Sequence, residues 1–288
     1  MPFRRPKVVF DTQVISNVCT GAIPRSEWDE VLKYISRRCR YAISAITLYE
    51  LLAGIANGDV AHFAENQHRI RVLCEPLKRE FLPLVGDFVR FRVFRLAPRK
   101  LAFQPHKLKL WADVVLTAKT REELVRGRVT LSRPGHAGKS YGFDLPLLAK
   151  QIENGKQNHS ERLEALRQGK LLASTPDTWT QAVLREIGVP VNPANATRLL
   201  GALDAAHEHD LYLYSMARNH TYDFAEHDSD WLDGQQLYYL ADPLLKFITC
   251  DTKIRIRTRS SSQRDRILSF EDLKSLTHTT GQEVTVPN

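Results

Sequence analysis

Five acidic residues stand where the backbone pattern changes. Asp11 directly follows the apolar run Val8-Val9-Phe10. Glu50 lies in the opening turns of a helical pattern that follows Tyr41-Ala42-Ile43-Ser44. Asp230 and Asp233 open a helical pattern that leads into the apolar run 245–249, and Asp251 follows that run at one remove. Short runs of β-branched and aromatic residues, bounded by polar ones, read as fully buried strands of a parallel sheet. Open α/β sheets form their ligand sites beyond the carboxyl ends of parallel strands. If the strand–helix units run parallel, Asp11, Glu50, Asp233 and Asp251 converge at one edge. Crowded carboxylates raise each other's pKa unless a cation neutralises them. Mg²⁺ or Mn²⁺, hard ions that prefer oxygen, would do this. Such a site in a basic chain suits phosphodiester hydrolysis, in which the metal activates water and stabilises charge on the phosphate. Each acid alone has a plainer use: Asp11 as a helix N-cap, Glu50 as an exposed helix acid, Asp233 as a dipole partner, Asp251 as a turn cap. Only their joint arrangement favours a site.

The elements that must position them alternate at both ends of the chain. Val14, Ile15 and Val18 have helical spacing, so a helix is expected from Thr12 or Gln13. A second helix is expected over 26–36, with acids in its first turn, and a third around Thr47–Leu52. Residues 60–218 are mostly helical in pattern, with a helix over 180–187 and one long amphipathic helix over 194–218. The end returns to alternation: a helix over 231–240, strands at 245–249 and 267–269, and a helix over 270–276 capped by Ser269. The expected fold class is α/β. One domain is made from 1–58 and 219–288, with a mostly helical insertion, 59–218, between them.

The chain has 288 residues, and its 41 Lys+Arg against 33 Asp+Glu give a net charge of +8. That excess suits an acidic partner, nucleic acid first. Cys19, Cys39, Cys74 and Cys250 are scattered, which excludes a disulfide scaffold and zinc-ligand spacing and suits a reducing, cytoplasmic compartment. The basic opening is followed by three apolar residues, far short of a signal-peptide core, and no run approaches a membrane span.

Four of these segments, in order, resemble the motifs of PIN-domain nucleases. Val8-Val9-Phe10-Asp11-Thr12 resembles their opening strand and first acid. Ser44-Ala45-Ile46-Thr47-Leu48-Tyr49-Glu50-Leu51-Leu52 resembles the second motif, and Asp230-Trp231-Leu232-Asp233 followed by Gln235-Gln236-Leu237-Tyr238-Tyr239-Leu240-Ala241 resembles the third. Phe247-Ile248-Thr249-Cys250-Asp251 resembles the last acidic strand, 18 residues beyond Asp233 as in the family. Residues 267–273 resemble the closing strand and helix, so the likeness covers about 6–55 and 228–277. It implies a PIN-like three-layer α/β/α domain around a central parallel sheet. It also implies a metal-dependent endonuclease, most often an endoribonuclease, that leaves 5′-phosphate and 3′-hydroxyl ends. Asp11 would be the central ligand of Mg²⁺ or Mn²⁺. Glu50 and Asp233 would complete the cluster and orient water, and Asp251 would hold the metals directly or through water. Asp230 could serve as an extra ligand or as an N-cap. Thr12, Ser44 and Thr249 would hydrogen-bond behind the ligands. The chain departs from the compact family pattern in that Glu50 and Asp233 are 183 residues apart, where small members have a few tens. Glu226, His227 and Asp228 read as loop residues beside the third motif.

Several basic features could meet nucleic acid. Lys253, Arg255, Arg257 and Arg259 alternate with Ile254, Ile256 and Thr258. In a strand this would put four charges on one face near Asp251, either against phosphates or as the solvated face of an edge strand. Lys139 lies in a glycine-containing loop, 132–140, that lacks the first glycine of a P-loop because Arg133 stands there. It is expected to touch phosphates. Arg90, Arg92, Arg95, Arg99, Lys100, Lys107 and Lys109 surround Phe88, Phe91 and Phe94, which read as a core stripe beneath a basic face. His207 and His209 fall on different faces of a helix and do not suit one zinc ion. The leading expectation is therefore an endonuclease acting on RNA. The alternatives are a DNA nuclease in defence or repair, and a non-catalytic module that binds nucleic acid or protein. The expected partners are nucleic acid and no membrane. By family analogy a second copy of the chain is expected, together with an inhibitor or partner protein docked on the insertion.

Overall fold

The computed structural model describes residues 5–58, 60–76, 78–97, 105–132, 135–136, 138–142, 145–170, 176–223 and 230–279. Arg99, Lys100, Arg133, Glu226, His227 and Asp228 lie outside the described residues. In chain order the first elements are β1 (Lys7–Phe10), α1 (Thr12–Thr20), α2 (Arg25–Arg38), β2 (Arg40–Ile43), α3 (Ala45–Asn57), α4 (Val60–Leu73) and β3 (Arg79–Phe81). Then follow α5 (Val85–Phe94), α6 (Pro105–Thr117), α7 (Arg121–Val125), β4 (Val129–Thr130), β5 (Ser140–Tyr141), α8 (Leu145–Arg167), α9 (Pro176–Ile187), α10 (Pro193–Ala202) and α11 (Asp204–Arg218). The chain closes with α12 (Asp230–Gln236), a 3₁₀ turn (Leu237–Ala241), β6 (Leu245–Ile248), α13 (Thr252–Arg257), β7 (Ile267–Leu268) and α14 (Phe270–Thr279).

Five strands form one parallel sheet in the order β3-β2-β1-β6-β7, with Val9 opposite Ala42 on one side and Phe247 on the other. The sheet is flanked by helices on both faces, which explains why its central strands are apolar without alternation. Val8, Phe10, Tyr41, Ile43 and Ile248 enter one core with Trp28, Leu48, Leu52 and Phe270. Val9, Ala42, Leu245 and Phe247 enter the other with Phe88, Leu184, Leu199 and Tyr239. Each such side chain, fully buried, contributes about 1.5–3 kcal/mol. In the first core the Phe10 and Trp28 rings meet edge to face at 4.9 Å. No helix among the described residues is long and apolar enough to cross a membrane.

Three local readings change. The segment expected as a helical insertion also supplies β3, whose Arg79 and Glu80 hide it from an apolar-run search. The helix expected over 194–218 breaks at Leu203, and Gln263 bridges the break by donating to Ala202 O at 2.8 Å and accepting from Ala205 N at 3.2 Å. Residues 253–259 are not a strand. Asp251 accepts from Lys253 N at 2.7 Å and nucleates α13, so Ile254, Arg257 and Thr258 share the buried face. The alternating charges therefore do not lie on one face, because a side-chain cap in front of a short segment outweighs a period-two charge pattern within it.

Candidate functional site

Asp11, Glu50, Asp233 and Asp251 come from four different elements and act on one another at the carboxyl edge of the sheet. Asp11 leaves β1 in an extended conformation and caps α1, with Oδ1 accepting from Thr12 N at 2.7 Å. Its Oδ2 accepts from Thr249 Oγ1 at 2.8 Å, just past the end of β6. Thr249 Oγ1 in turn accepts from Asp251 N at 2.9 Å, so one hydroxyl ties the first acid to the last. Glu50 projects from α3, and its Oε2 accepts from Thr12 Oγ1 at 2.6 Å. Asp233 lies in the first turn of α12.

The electrostatics are those of unneutralised acids. Asp11 is 5% exposed. Burial, helped by the charge of Asp251, pushes its carboxyl up to about 6 against the lowering effect of the Thr249 and Thr12 bonds. Burial and the neighbouring Asp11 push Glu50 up to about 7, opposed by Thr12, Lys156 and Arg69. Asp233 is raised well above its ordinary value by burial, then by Asp11, Glu50, Asp251 and Asp230. Asp230 differs from the rest. It is buried and ion-paired with the buried guanidinium of Arg257 at 2.8 Å.

Two of the three expected supporting hydroxyls, Thr12 and Thr249, bond the acids directly. Ser44 does not. It caps α3 by accepting from Thr47 N at 2.9 Å, and its Oγ lies 2.9 Å from Gln236 Oε1. Gln236 Nε2 donates to Thr47 Oγ1 at 2.9 Å, and Thr47 Oγ1 donates to Phe10 O at 3.2 Å. This buried network pins the start of α3 to the end of α12 and to β1. Sequence reasoning missed Thr47 and Gln236, although both lie inside the quoted motifs on the faces that carry Glu50 and Asp233.

The inserted helix α8 reaches the same edge. Tyr49 Oη donates to Gln151 Oε1 at 3.3 Å. A Cβ at Gly155 would lie 2.6 Å from the Trp231 ring, so α8 meets α12 at a distance only glycine allows. Lys156 follows and its charge favours ionised Glu50. Neither Gly155 nor Lys156 has a local signal that would place it there.

The expected nucleic-acid residues do not form one surface. Lys253 and Arg259 are exposed, Arg255 pairs with Asp272 at 3.2 Å, and Arg257 is buried. Lys139 is exposed, with Nζ donating to Gly135 O at 3.4 Å within its own loop. The stripe expected on α5 is split: Phe88 is buried while Phe91 is 51% exposed. Arg90 Nη1 donates to Ile187 O at 2.7 Å and Arg92 pairs with Asp242 at 3.0 Å, so part of that basic face holds the fold. His207 meets the Trp179 ring edge-on at 5.1 Å, whereas His209 faces Arg257, in keeping with their separate faces.

Four carboxylates with threonine hydroxyls behind them are an oxygen-only donor set, which fits a hard divalent cation. As the side chains stand, no three His, Cys, Asp or Glu residues among the described ones are close enough to share an ion. Family models, curated proteins and solved structures show no match to this chain.

Proposed function

We propose that this chain is a PIN-like, metal-dependent endonuclease that hydrolyses phosphodiester bonds, with RNA as its first substrate. The observation that carries the reading is the collection of Asp11, Glu50, Asp233 and Asp251 at one sheet edge. There burial and mutual repulsion raise three of the four, two of them to about 6 and about 7. A fold gains nothing in stability from such crowding. Perturbed acids at the carboxyl ends of parallel strands are the ordinary sign of a working site.

The four carboxylates would hold Mg²⁺ or Mn²⁺. A bound ion would lower the pKa of its water and offset the charge that develops on the phosphate. The chain's own residues supply the rest. Thr249 and the Thr12 amide fix both oxygens of Asp11, which keeps that carboxylate in one orientation. Thr12 Oγ1 fixes Oε2 of Glu50. That leaves Oε1 of Glu50 free of this bond, to hold the ion or orient the attacking water. Lys156, on the helix that overlies this edge, would meet a substrate phosphate.

The test is cleavage of labelled RNA and DNA of equal sequence by the wild type and by Asp11→Asn, each with Mg²⁺, Mn²⁺ or EDTA. Metal-dependent cleavage by the wild type alone is expected, faster on RNA. Faster cleavage of DNA would make DNA the substrate. Equal metal-dependent activity in both proteins would sink the mechanism.

A further inference from the structure

Asp230 is one helical turn before Asp233, and the sequence leaves it open whether it is a ligand or a cap. Its surroundings answer differently. Arg257 Nη1 lies 2.8 Å from Asp230 Oδ1 and 3.2 Å from His209 Nε2. A guanidinium only donates, so His209 Nε2 is the acceptor and the ring proton sits on Nδ1. That nitrogen faces Asp210 Oδ1 at 3.7 Å, and Asp210 Oδ2 accepts from Trp179 Nε1 at 2.8 Å. Asp230, Arg257 and His209 are all buried. A Cβ at Gly234, next to Asp233, would stand 3.2 Å from His209 Nδ1 and 3.4 Å from Asp210 Oδ1, so α12 lies directly against α11 there.

The pair also joins the two helices that carry site acids. Asp230 and Asp233 share the first turn of α12. Asp251 caps the start of α13, and Arg257 closes the same short helix. We propose that Arg257 is a positioning residue for the metal site. Its pair with Asp230 braces the Asp233 helix against the Asp251 helix, and His209 of the inserted α11 holds the guanidinium in place. This inference rests on the nuclease reading and deepens it. Asp230 becomes a strut rather than a ligand, and part of the long insertion becomes a support for the site. A buried pair of this kind is poor ground for a claim of stability, since an apolar pair packs as well. A role in fixing geometry is the better-founded one. Partners behind metal ligands commonly change affinity by about 10–100-fold when removed.

The test is Mn²⁺ binding to the full chain, read by electron paramagnetic resonance, together with the thermal unfolding midpoint. The variants are Arg257→Met, Arg257→Lys, Asp230→Asn and the Arg257→Met/Asp230→Asn double, with Asp11→Asn as the control that removes a proposed ligand. Arg257→Met is expected to weaken Mn²⁺ binding about 10-fold or more, and Arg257→Lys, which keeps the cation, to weaken it less. Asp230→Asn added to Arg257→Met should cost little further, because the first substitution has already broken the pair. A further loss of about 10-fold in the double variant would make Asp230 a direct ligand and overturn the proposal. Unchanged Mn²⁺ affinity in Arg257→Met, with only a lower midpoint, would reduce the pair to scaffolding. If Arg257→Met does not fold, Asp230→Asn, which breaks the pair from the other side, decides the matter: wild-type Mn²⁺ affinity in that variant overturns the proposal. A wild type that binds Mn²⁺ no better than Asp11→Asn would remove the nuclease reading itself, and this inference with it.

Discussion

The two edges of the sheet bury carboxylates in opposite ways. At the amino edge, Lys7, the first residue of β1, sets its ammonium 3.0 Å from Glu80 and 3.5 Å from Asp242. Arg40 opens β2 and takes the other oxygen of Glu80 at 2.9 Å, and Arg92 takes Asp242 at 3.0 Å. Two acids there share three cations. At the carboxyl edge, Asp11, Glu50, Asp233 and Asp251 act on one another by charge, and hydroxyls of Thr249 and Thr12 donate to the first two. The same strands feed both edges, so composition and desolvation do not explain the contrast. What differs is whether a fixed side chain supplies the positive charge. Matched acids at one edge hold the register of β1, β2, β3 and β6. On the proposed function, unmatched acids at the other leave the neutralising role to a metal ion. Asp230 with Arg257 is a third case, a matched pair standing directly beside the unmatched set.

The sharpest way to break this comparison is to make one kind of substitution at both edges. Asp11→Asn should lower metal-dependent cleavage by about 10²-fold or more while leaving the fold at least as stable. Asparagine caps a helix as well as aspartate does, and the crowded charge is gone. Cleavage assays paired with thermal melts measure both. A large loss of stability in this variant would show that the Asp11 carboxylate stabilises the fold, as a matched acid does. Asp242→Asn should do the reverse. It strips Lys7 and Arg92 of a buried partner at a cost of about 3 kcal/mol, and cleavage per folded molecule should be unchanged. Urea unfolding midpoints measure it, and a loss below about 0.5 kcal/mol would mean that the amino-edge network behaves like exposed ion pairs.

Much of this contrast was legible in the sequence, and the illegible part has a physical cause. Val8–Phe10, Tyr41–Ile43 and Phe247–Ile248 announce central strands because both sheet faces are covered. Asp11 and Asp251 are then placed by chain direction alone. The amino-edge network was invisible because its strand β3 reads Arg79-Glu80-Phe81, and those charges make sense only beside Lys7 and Arg40 from elsewhere in the chain. Arg257 was misread for the same reason. Nothing within 253–259 says that one of four alternating cations is buried, since its partner Asp230 is 27 residues away. Ser44 was expected to hydrogen-bond behind the acids, but it caps α3 and its neighbour is Gln236, 192 residues on, rather than an acid. Local patterns thus located the acids, while the pairing of charges across elements decided which were left unmatched.

A pH series sharpens the comparison with a smaller effect. The unfolded carboxyls release protons near 3.8 and 4.5, whereas folded Asp11 and Glu50 hold theirs to about 6 and about 7. Between those limits the native state binds more protons, so this edge loses stability as pH rises from about 4 to about 7. Half-buried His159 and buried His207, whose pKa values are lowered chiefly by desolvation, slope the other way as they charge in acid. The useful reading is therefore the difference between proteins in EDTA. Asp11→Asn should gain roughly 1–3 kcal/mol on the wild type between pH 4 and pH 8, and Asp242→Asn should show no such gain. Mn²⁺ at pH 8 should stabilise the wild type and leave Asp11→Asn little changed. A difference that does not vary with pH would mean that Asp11 titrates in the native state as it does in the unfolded chain.

The smallest effect tests how far the unmatched edge extends. Ser44 stands at the carboxyl end of β2, as Asp11 does at the end of β1, yet it is neutral and its bonds run to Thr47 and Gln236 rather than to an acid. Ser44→Ala removes the N-cap of α3 and leaves Gln236 Oε1 without that donor in a buried place. The expected loss is about 1–2 kcal/mol, read from denaturant midpoints. Glu50 is two turns further along α3, and its bond to Thr12 belongs to α1. Mn²⁺ affinity should therefore stay within about 2-fold of the wild type, in contrast to the loss of about 10-fold or more expected when a group that directly backs a ligand is removed. Thr249→Val supplies that contrast, since its hydroxyl reaches Asp11 itself. If Ser44→Ala weakened Mn²⁺ binding as much as Thr249→Val, the buried Ser44–Thr47–Gln236 network would belong to the metal site. The boundary between matched scaffold and unmatched site would then move one layer deeper into the sheet.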